Sequence, residues 1–325
     1  MSLTTNKTPE ELRQAWQELK AQTPHLYPRD AASKLGVAEA QLIALGNGTT
    51  SFRLEIPKLA EFLNGLSLFG EALFLVRNDA AVLEKDSVLQ FEEKDHYFSA
   101  TGDGVRLVFG KSSLAHAFVV HAEKWVPRGV QFFDATGTAV FKAYVRDESK
   151  IAAFDAWVKP WISPDQSPLL AVKPASDGTD LHAHAHHHHA HGTGGKSGSH
   201  CGAHCSGQPP VALPADSFKT LLTAVTKSDE PLTVSLANAH SFFSVTTTIK
   251  KVAPSGPWFN ILDDALHMHL KEAAVKTAAA HIGAVGDAPK ELKVAFKNET
   301  GASVLWIRVP AEGAAATEAL NTKLA

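Results

Sequence analysis

The same order of segments occurs twice in this sequence, before and after a histidine-rich stretch, and this repetition restricts the possible folds more than any single motif. In the second copy SFKTLLTAVTKS parallels the segment LAEFLNGLSLFG, and LTVSLANAHSFFSV parallels ALFLVRNDAAVLEK. HLKEAAVKTAAAHI stands where VFGKSSLAHAFVV stood, and a predicted hairpin at 129–145 returns at 291–309. Self-similarity of this kind indicates a tandem duplication.

The elements within each copy are predicted to be strands with a few helices. Short apolar runs rich in Val, Phe and Tyr alternate with turn signals, which is the pattern of an antiparallel sheet. Near the N-terminus, Thr8 is followed by Pro9 and Glu11, the pattern of a helix start with a capping box. The segment 27–46 is predicted to form two short helices joined at Gly36.

We therefore predict an α+β fold, a tandem duplication of a large antiparallel β-sheet with flanking helices. A length of 325 residues with 44% apolar content is sufficient for two domains. The predicted boundaries are an N-terminal repeat at 1–163 and a shortened C-terminal repeat at 215–325. Between them Pro, Ser, Gly and His accumulate, which predicts a flexible His-rich linker at 164–214.

Charge and motif content exclude several classes of function. The net charge is −3 with Lys and Arg spread evenly, so we expect no nucleic-acid partner. The helix pair at 27–46 resembles a helix-turn-helix, but its second half, AEAQLIAL, has no basic or base-reading residue, which favours plain helical packing. GxSxG, P-loop, GxGxxG and zincin motifs are absent, so hydrolytic and nucleotide-dependent chemistry lacks support.

The expected location is the cytoplasm. The N-terminal segment has no apolar core of a leader peptide, and no run approaches the roughly 18 apolar residues that a membrane span needs. The two cysteines lie four residues apart in the predicted linker, which is poor evidence for a disulfide and fits a reducing compartment.

The linker is the densest group of possible metal ligands in the chain. Imidazole and thiolate groups bind borderline and soft metals such as zinc, nickel and copper. The spacing matches no closed zinc site, so the preferred metal is not encoded, and a polar linker whose histidines bind nothing is the alternative. The candidate ligands are His182, His184, His186, His187, His188, His189, His191, His200, Cys201, His204 and Cys205.

Cations on the predicted strands are candidates for binding an anionic planar ligand such as haem. Such a ligand needs a wide apolar cleft, cations for its carboxylates and an axial ligand. Each cation is also explained as an ordinary exposed strand residue. The candidates are Arg77, Arg106, Lys250, Lys251 and Arg308.

Four further histidines lie in apolar strand segments. His116 and His281 are predicted to occupy matching positions of the two repeats, and their apolar neighbours are more typical of a core or edge histidine than of a ligand. His267 and His269 alternate in LHMHL and are predicted to share one strand face. That pair could bind a metal, but no third ligand is visible nearby in sequence. The adjacent Asp263–Asp264 is interpreted as a turn.

Four stretches in the same order resemble the hemin-degrading factor family, the HemS, HmuS and ChuS group of haem-utilisation proteins. They are YPRDAASKLGVAEAQL, LVRNDAAVLEK, GVQFFDATGTAVFKAYV and SGPWFNILDDALHMHL. The resemblance implies two repeats, each with a large antiparallel sheet, and haem in a cleft against the C-terminal sheet. It also implies a cytoplasmic haem carrier, and some members are reported to open the haem ring with an electron donor.

At single positions the resemblance is partial. Arg106, in GVRLVF, is similar to the family's haem-contacting arginine. Leu83 stands where the family has a histidine, and Trp306 stands where it has a tyrosine that faces haem. The helix that carries the family's proximal histidine has no counterpart here, and the His-rich linker takes its place.

The leading hypothesis is a haem- and iron-handling protein that binds or carries haem, with haem or iron-uptake components as partners. In this hypothesis a histidine among His182–His191 supplies the axial nitrogen, and Arg106 contacts a propionate. One alternative is a scaffold that no longer binds haem, whose linker binds or buffers zinc, nickel or copper. Another is a haem-degrading oxygenase. The sequence does not encode the oligomeric state.

Overall fold

The computed structural model describes residues 7–24, 26–121, 128–174, 210–264, 266–284 and 288–321. The helices in these ranges are α1 (Pro9–Gln22), α2 (Pro28–Leu35), α3 (Glu39–Ala44), α4 (Leu59–Gly65), α5 (Ile151–Val158), α6 (Ser217–Ser228) and α7 (Ala314–Asn321). The strands are β1 (Ser51–Arg53), β2 (Ala72–Arg77), β3 (Ala81–Ser87), β4 (Gln90–Glu93), β5 (Tyr97–Gly102), β6 (Val105–Gly110), β7 (His116–Val120), β8 (Gly129–Phe133), β9 (Ala139–Val145), β10 (Val211–Leu213), β11 (Leu232–Ala237), β12 (Ser241–Thr247), β13 (Trp258–Asp263), β14 (Leu266–Lys271), β15 (Thr277–Gly283), β16 (Glu291–Lys297) and β17 (Ser303–Pro310).

The strands form two large sheets, which confirms the predicted α+β fold. One has eight strands in the order β1-β7-β8-β9-β2-β3-β14-β13, and the other has nine in the order β10-β15-β16-β17-β11-β12-β6-β5-β4. Strands β13 and β14, which follow the His-rich stretch in sequence, thus belong to the same sheet as β1 and β7. The proposed domain boundaries at 163 and 215 stay a prediction.

The described residues form two compact units. The first contains those within Met1–Leu75, Asp86–Asp103 and Val108–Leu181. The second contains those within Val76–Lys85, Gly104–Leu107 and His182–Ala325.

In the first unit, helix α4 packs on one face of the sheet through aromatic side chains. Phe62 of α4 meets Phe132 of β8 edge to face, with ring centroids 6.1 Å apart. Phe132 in turn stacks on Phe141 of β9 at 4.6 Å. All three rings are fully buried, so burial of apolar area is the main term that holds this helix to the sheet.

The opposite face of the first unit's sheet is covered by helix α3. Ala40 and Ala44 of α3 form an apolar cluster with Phe118 and other core residues of the strands. On the same face the Lys142 ammonium forms an ion pair with the Glu39 carboxylate, with Nζ and Oε1 2.5 Å apart and both side chains almost entirely buried. This sheet is therefore covered on both faces.

In the second unit, helix α6 covers one face of the nine-stranded sheet. Phe218 of α6 meets Phe296 of β16 edge to face at 5.8 Å and Phe259 of β13 at 5.3 Å. Leu305 and Ile307 of β17 point to this same face, because they lie opposite Phe296 and Val294 in the register, and they are fully buried.

The predicted helix ends are confirmed. The Thr8 hydroxyl accepts a hydrogen bond from the Glu11 backbone N–H, and the Glu11 carboxylate accepts one from the Thr8 N–H, which is the capping box. Gly36 ends α2 in the left-handed conformation, with φ of 69°, so the chain turns there into α3. None of the helices in the described part of the chain has the length and hydropathy that a membrane crossing requires.

Candidate functional site

The second face of the nine-stranded sheet carries Trp306 among small residues. Trp306 of β17 lies opposite Ser235 of β11 and Ala295 of β16, and its neighbours along the strand, Leu305 and Ile307, point into the core. Residues directly opposite each other on paired strands have side chains on the same face. Small side chains thus flank the indole on both sides. We call this surface the Trp306 face; it consists of Trp306, Ser235, Ser244, Ala279 and Ala295.

An aromatic ring extends the Trp306 face on one side. Phe242 of β12 lies opposite Ala237, two positions from the Ser244–Ser235 pair and hence on the same face. Its ring centroid is 6.4 Å from that of Trp306, and 38% of the residue is exposed. Partly exposed aromatic rings beside Ser and Ala side chains form a largely apolar surface, which suits a planar ligand.

A row of basic residues borders the Trp306 face toward one end of the strands. Arg308 lies opposite Lys293, and Lys293 lies opposite His281. The Arg308 guanidinium donates to the Glu291 carboxylate at 3.0 Å, so Glu291 balances part of the positive charge. Arg308 can hold an anion with its remaining N–H groups, since guanidinium has five donors.

Arg106 lies on strand β6, two strands beyond β11 in the same sheet. It is exposed, whereas its neighbours Val105 and Leu107 are buried in the core. The Gly104 carbonyl accepts a hydrogen bond from the Thr246 N–H at 2.8 Å, which joins this strand to β12. Arg106 therefore lies three strands away from Trp306 in the order β17-β11-β12-β6, whereas Arg308 lies on the same strand as Trp306, two residues farther along.

Two other cations predicted to contact a ligand lie elsewhere. Arg77 ends β2 in the eight-stranded sheet, and its carbonyl accepts from the Asn238 side chain at 3.3 Å. Lys250 lies beyond the end of β12, and not in the sheet as the sequence suggested. The Lys250 ammonium is paired with the Asp229 carboxylate. The structure thus brings Arg106 and Arg308 to one sheet and separates Arg77 and Lys250 from its Trp306 face.

The predicted metal ligands of the His-rich stretch lie outside the described residues. They are His182, His184, His186, His187, His188, His189, His191, His200, Cys201, His204 and Cys205. Their role stays a prediction.

His116 and His281 do not occupy matching strand positions, contrary to the prediction. His116 is the first residue of β7 and follows a short 3-10 helix, Lys111–Ser113. The first residue of β15 after the equivalent turn Glu272–Ala274 is Thr277, and His281 lies four residues farther along. The two histidines have similar apolar neighbours in the sequence but occupy different places in their strands.

The electrostatic environment of His116 agrees with a structural role. Burial lowers the pKa of His116, and the charge of Arg53 lowers it further, while Asp134 opposes the shift. A neutral imidazole at the start of a core strand is typical of a core or edge histidine.

The sequence did not predict the residues that surround Trp306 on this face. Phe242, Ser235 and Ala295 carry no chemical motif, and only their register around Trp306 makes them a surface. Small residues at alternate positions of neighbouring strands are the signal that was available.

Two known protein domains match this chain, one in each half. The model of the haemin-degrading HemS/ChuX domain matches residues 36–161. The model of the haem utilisation ChuX/HutX domain matches residues 211–318. The order and the extent of the two matches agree with the duplication that the sequence predicted.

Relatives match over most of their length. The hemin transport protein HmuS of Yersinia pestis is 24% identical over 288 residues, which cover 81% of this chain and 82% of HmuS. The hemin transport protein HemS of Yersinia enterocolitica is 22% identical over 282 residues, or 79% of this chain and 80% of HemS. Holo-PhuS, a heme-binding protein from Pseudomonas aeruginosa, has the same fold, with a TM-score of 0.78, 24% identity and 95% of each chain covered. The chain belongs to the HemS/ChuS-like family of haem-utilisation proteins.

Proposed function

We propose that this protein binds haem on the Trp306 face and carries it for iron transport or utilisation. The proposal rests on a largely apolar aromatic surface with two arginines in the same sheet, Arg308 on the strand of Trp306 and Arg106 three strands away. The names of the relatives, hemin transport protein and heme-binding protein, support the same ligand.

Different side chains are available to the porphyrin ring of haem and to its carboxylates. Trp306 and Phe242 offer their rings to the porphyrin plane, and the Ser and Ala side chains let it approach the strands. Arg106 and Arg308 are the guanidinium groups available to the propionates, since arginine binds carboxylates in a bidentate way.

The axial ligand has to come from a group other than Trp306. The indole nitrogen is a hydrogen-bond donor with no free lone pair, so it does not bind iron. The histidines at His182–His191 occupy the sequence position of the family's proximal helix, and we propose that one of them supplies the axial nitrogen.

A haem titration of the full-length chain tests this proposal. We expect a shifted Soret band that saturates at one haem per chain. Replacing the nine histidines between His182 and His204 by Gln should move the Soret maximum, because the axial ligand is lost. His96→Gln is the control, since His96 is an exposed histidine outside the strands and away from the Trp306 face. Absence of any Soret shift would refute haem binding, and an unchanged band in the Gln variant would refute the axial assignment.

A second candidate function is transition-metal binding by the His-rich stretch, which the density of imidazole and thiolate groups favours. In this case purified protein without a tag contains zinc, nickel or copper by mass spectrometry. Substituting the eleven ligands should reduce that content, whereas an equal metal content before and after substitution would count against this function.

A further inference from the structure

Two histidines share one face of strand β14, away from the Trp306 face and the His-rich stretch. His267 and His269 alternate with Leu266, Met268 and Leu270, which are fully buried. Both imidazoles therefore project from the opposite side of the strand, and 45% of the His267 side chain is exposed. Imidazoles at positions i and i+2 of a strand are neighbours that one ion can bridge.

A hydrogen bond from strand β13 orients the second imidazole. Nδ1 of His269 lies 2.8 Å from Oδ1 of Asn260, its directly opposite residue. The Asn260 side-chain NH₂ donates to the Ala253 carbonyl at 2.8 Å, so the amide oxygen is the atom that faces His269. His269 then carries its hydrogen on Nδ1, and Nε2 keeps the lone pair that a metal needs.

The protonation of His269 also suits a ligand. Burial lowers the pKa of His269, and the neighbouring His267 lowers it further. At pH 7 the imidazole is therefore neutral, and a neutral imidazole is the form that binds metal.

Strand β3 places a carboxylate beside the two histidines, which the sequence did not predict. Glu84 lies opposite His267 in the register, and its Oε2 is 4.0 Å from Nδ1 of His267. A carboxylate at this place favours a cation next to the two imidazoles. In the described part of the chain, no three His, Cys, Asp or Glu side chains surround a common point closely enough to hold an ion. The protein ligands that this strand face can offer to a metal ion are thus the two imidazoles.

We propose that His267 and His269 bind one divalent transition-metal ion, with copper(II) preferred, through one ring nitrogen each, while water fills the remaining positions beside Glu84. Copper(II) accepts a tetragonal arrangement of two nitrogens and two oxygens, and it is the tightest binder in the divalent series. Zinc sites in proteins have four defined ligands as a rule, which this surface does not offer.

Copper titration with electron paramagnetic resonance tests the proposal. The parent for this test is the full-length chain with the nine histidines and two cysteines of 182–205 replaced by Ser, so that these residues do not compete for copper. We expect one bound copper(II) per chain with nitrogen hyperfine structure from two imidazoles. His267→Gln and His269→Gln should each weaken binding at least tenfold and leave one imidazole in the spectrum. Glu84→Gln should weaken binding less and keep both.

His96→Gln is the matched control, because His96 is an exposed histidine outside the strands. It should bind copper as the parent does. Circular dichroism of each variant checks that the fold is kept. A parent that binds no copper would overturn the proposal, and so would copper that stays equally tight, with two imidazoles, in both His267→Gln and His269→Gln.

Discussion

At the scale of single residues, one sheet position has opposite chemistry in the two repeats. Lys142 lies opposite Leu75 in the first repeat, and Trp306 lies opposite Ser235 in the second. Leu75 and Ser235 correspond in the matching segments ALFLVRN and LTVSLAN. The lysine is buried under helix α3 in an ion pair, whereas the tryptophan is part of a partly exposed face. The duplicated position thus serves packing in one copy and, as we propose, binding in the other.

The buried pair gives a prediction for stability. Glu39→Gln should lower the free energy of unfolding by about 3–5 kcal/mol, because it leaves the Lys142 ammonium buried without its counter-charge. The double variant with Lys142→Met should recover much of the loss, since no buried charge remains. Denaturant unfolding of both variants and the parent measures this. Equal stability of the single and double variants would contradict it.

At the scale of elements, the sequence predicted the strands better than their partners. The hairpin of β8 and β9 and that of β16 and β17 were found from apolar runs around a turn, because such pairing is local. The pairing of β3 with β14 was not predicted, since it joins Glu84 to His267 across a long stretch of chain. For the same reason the sequence did not predict that Glu84 lies near His267, or that small residues surround Trp306. Both arrangements depend on the register between strands that are distant in sequence.

The strand that carries Arg106 gives a prediction about close packing. Gly104 has φ of 65°, and a Cβ there would lie 2.2 Å from the Thr246 carbonyl oxygen. Gly36 has φ of 69° but open space around it. Gly36→Ala should therefore lower the free energy of unfolding by about 1–2 kcal/mol, from backbone conformation alone. Gly104→Ala should lower it by about 3 kcal/mol or more, because β6 also has to move away from β12. Similar losses of unfolding free energy in Gly36→Ala and Gly104→Ala, measured by thermal or denaturant unfolding, would contradict this prediction.

At the scale of the whole molecule, the duplication does not separate into one sheet per repeat. Strand β3 pairs with β14 over four residue pairs. The Asn78 side chain donates to the carbonyls of Ala237 and Val304 at 3.1 and 2.9 Å. Segments on the two sides of the His-rich stretch are thus hydrogen-bonded to each other within the second unit. Sequence repetition revealed two copies, but an exchange of strands leaves no local pattern.

Cutting the chain tests this arrangement. A protease site inserted at 192–199 should allow cleavage without separation, because β3 and β14 stay paired. The two fragments should elute together in size-exclusion chromatography under native conditions and separate only in denaturant. Two folded fragments that elute apart would instead support independent domains at 1–163 and 215–325.

Filling the Trp306 face with a large side chain tests whether haem binds there. Ala295 lies opposite both Trp306 and Ala279, so a large side chain there takes the place of the ring. Glu299→Trp, in the exposed turn of the same hairpin, is the matched control. In a Soret-monitored haem titration we expect Ala295→Trp to bind haem at least tenfold more weakly than the native chain, and Glu299→Trp to bind it equally well. Native haem affinity in Ala295→Trp would mean that haem does not lie on the Trp306 face.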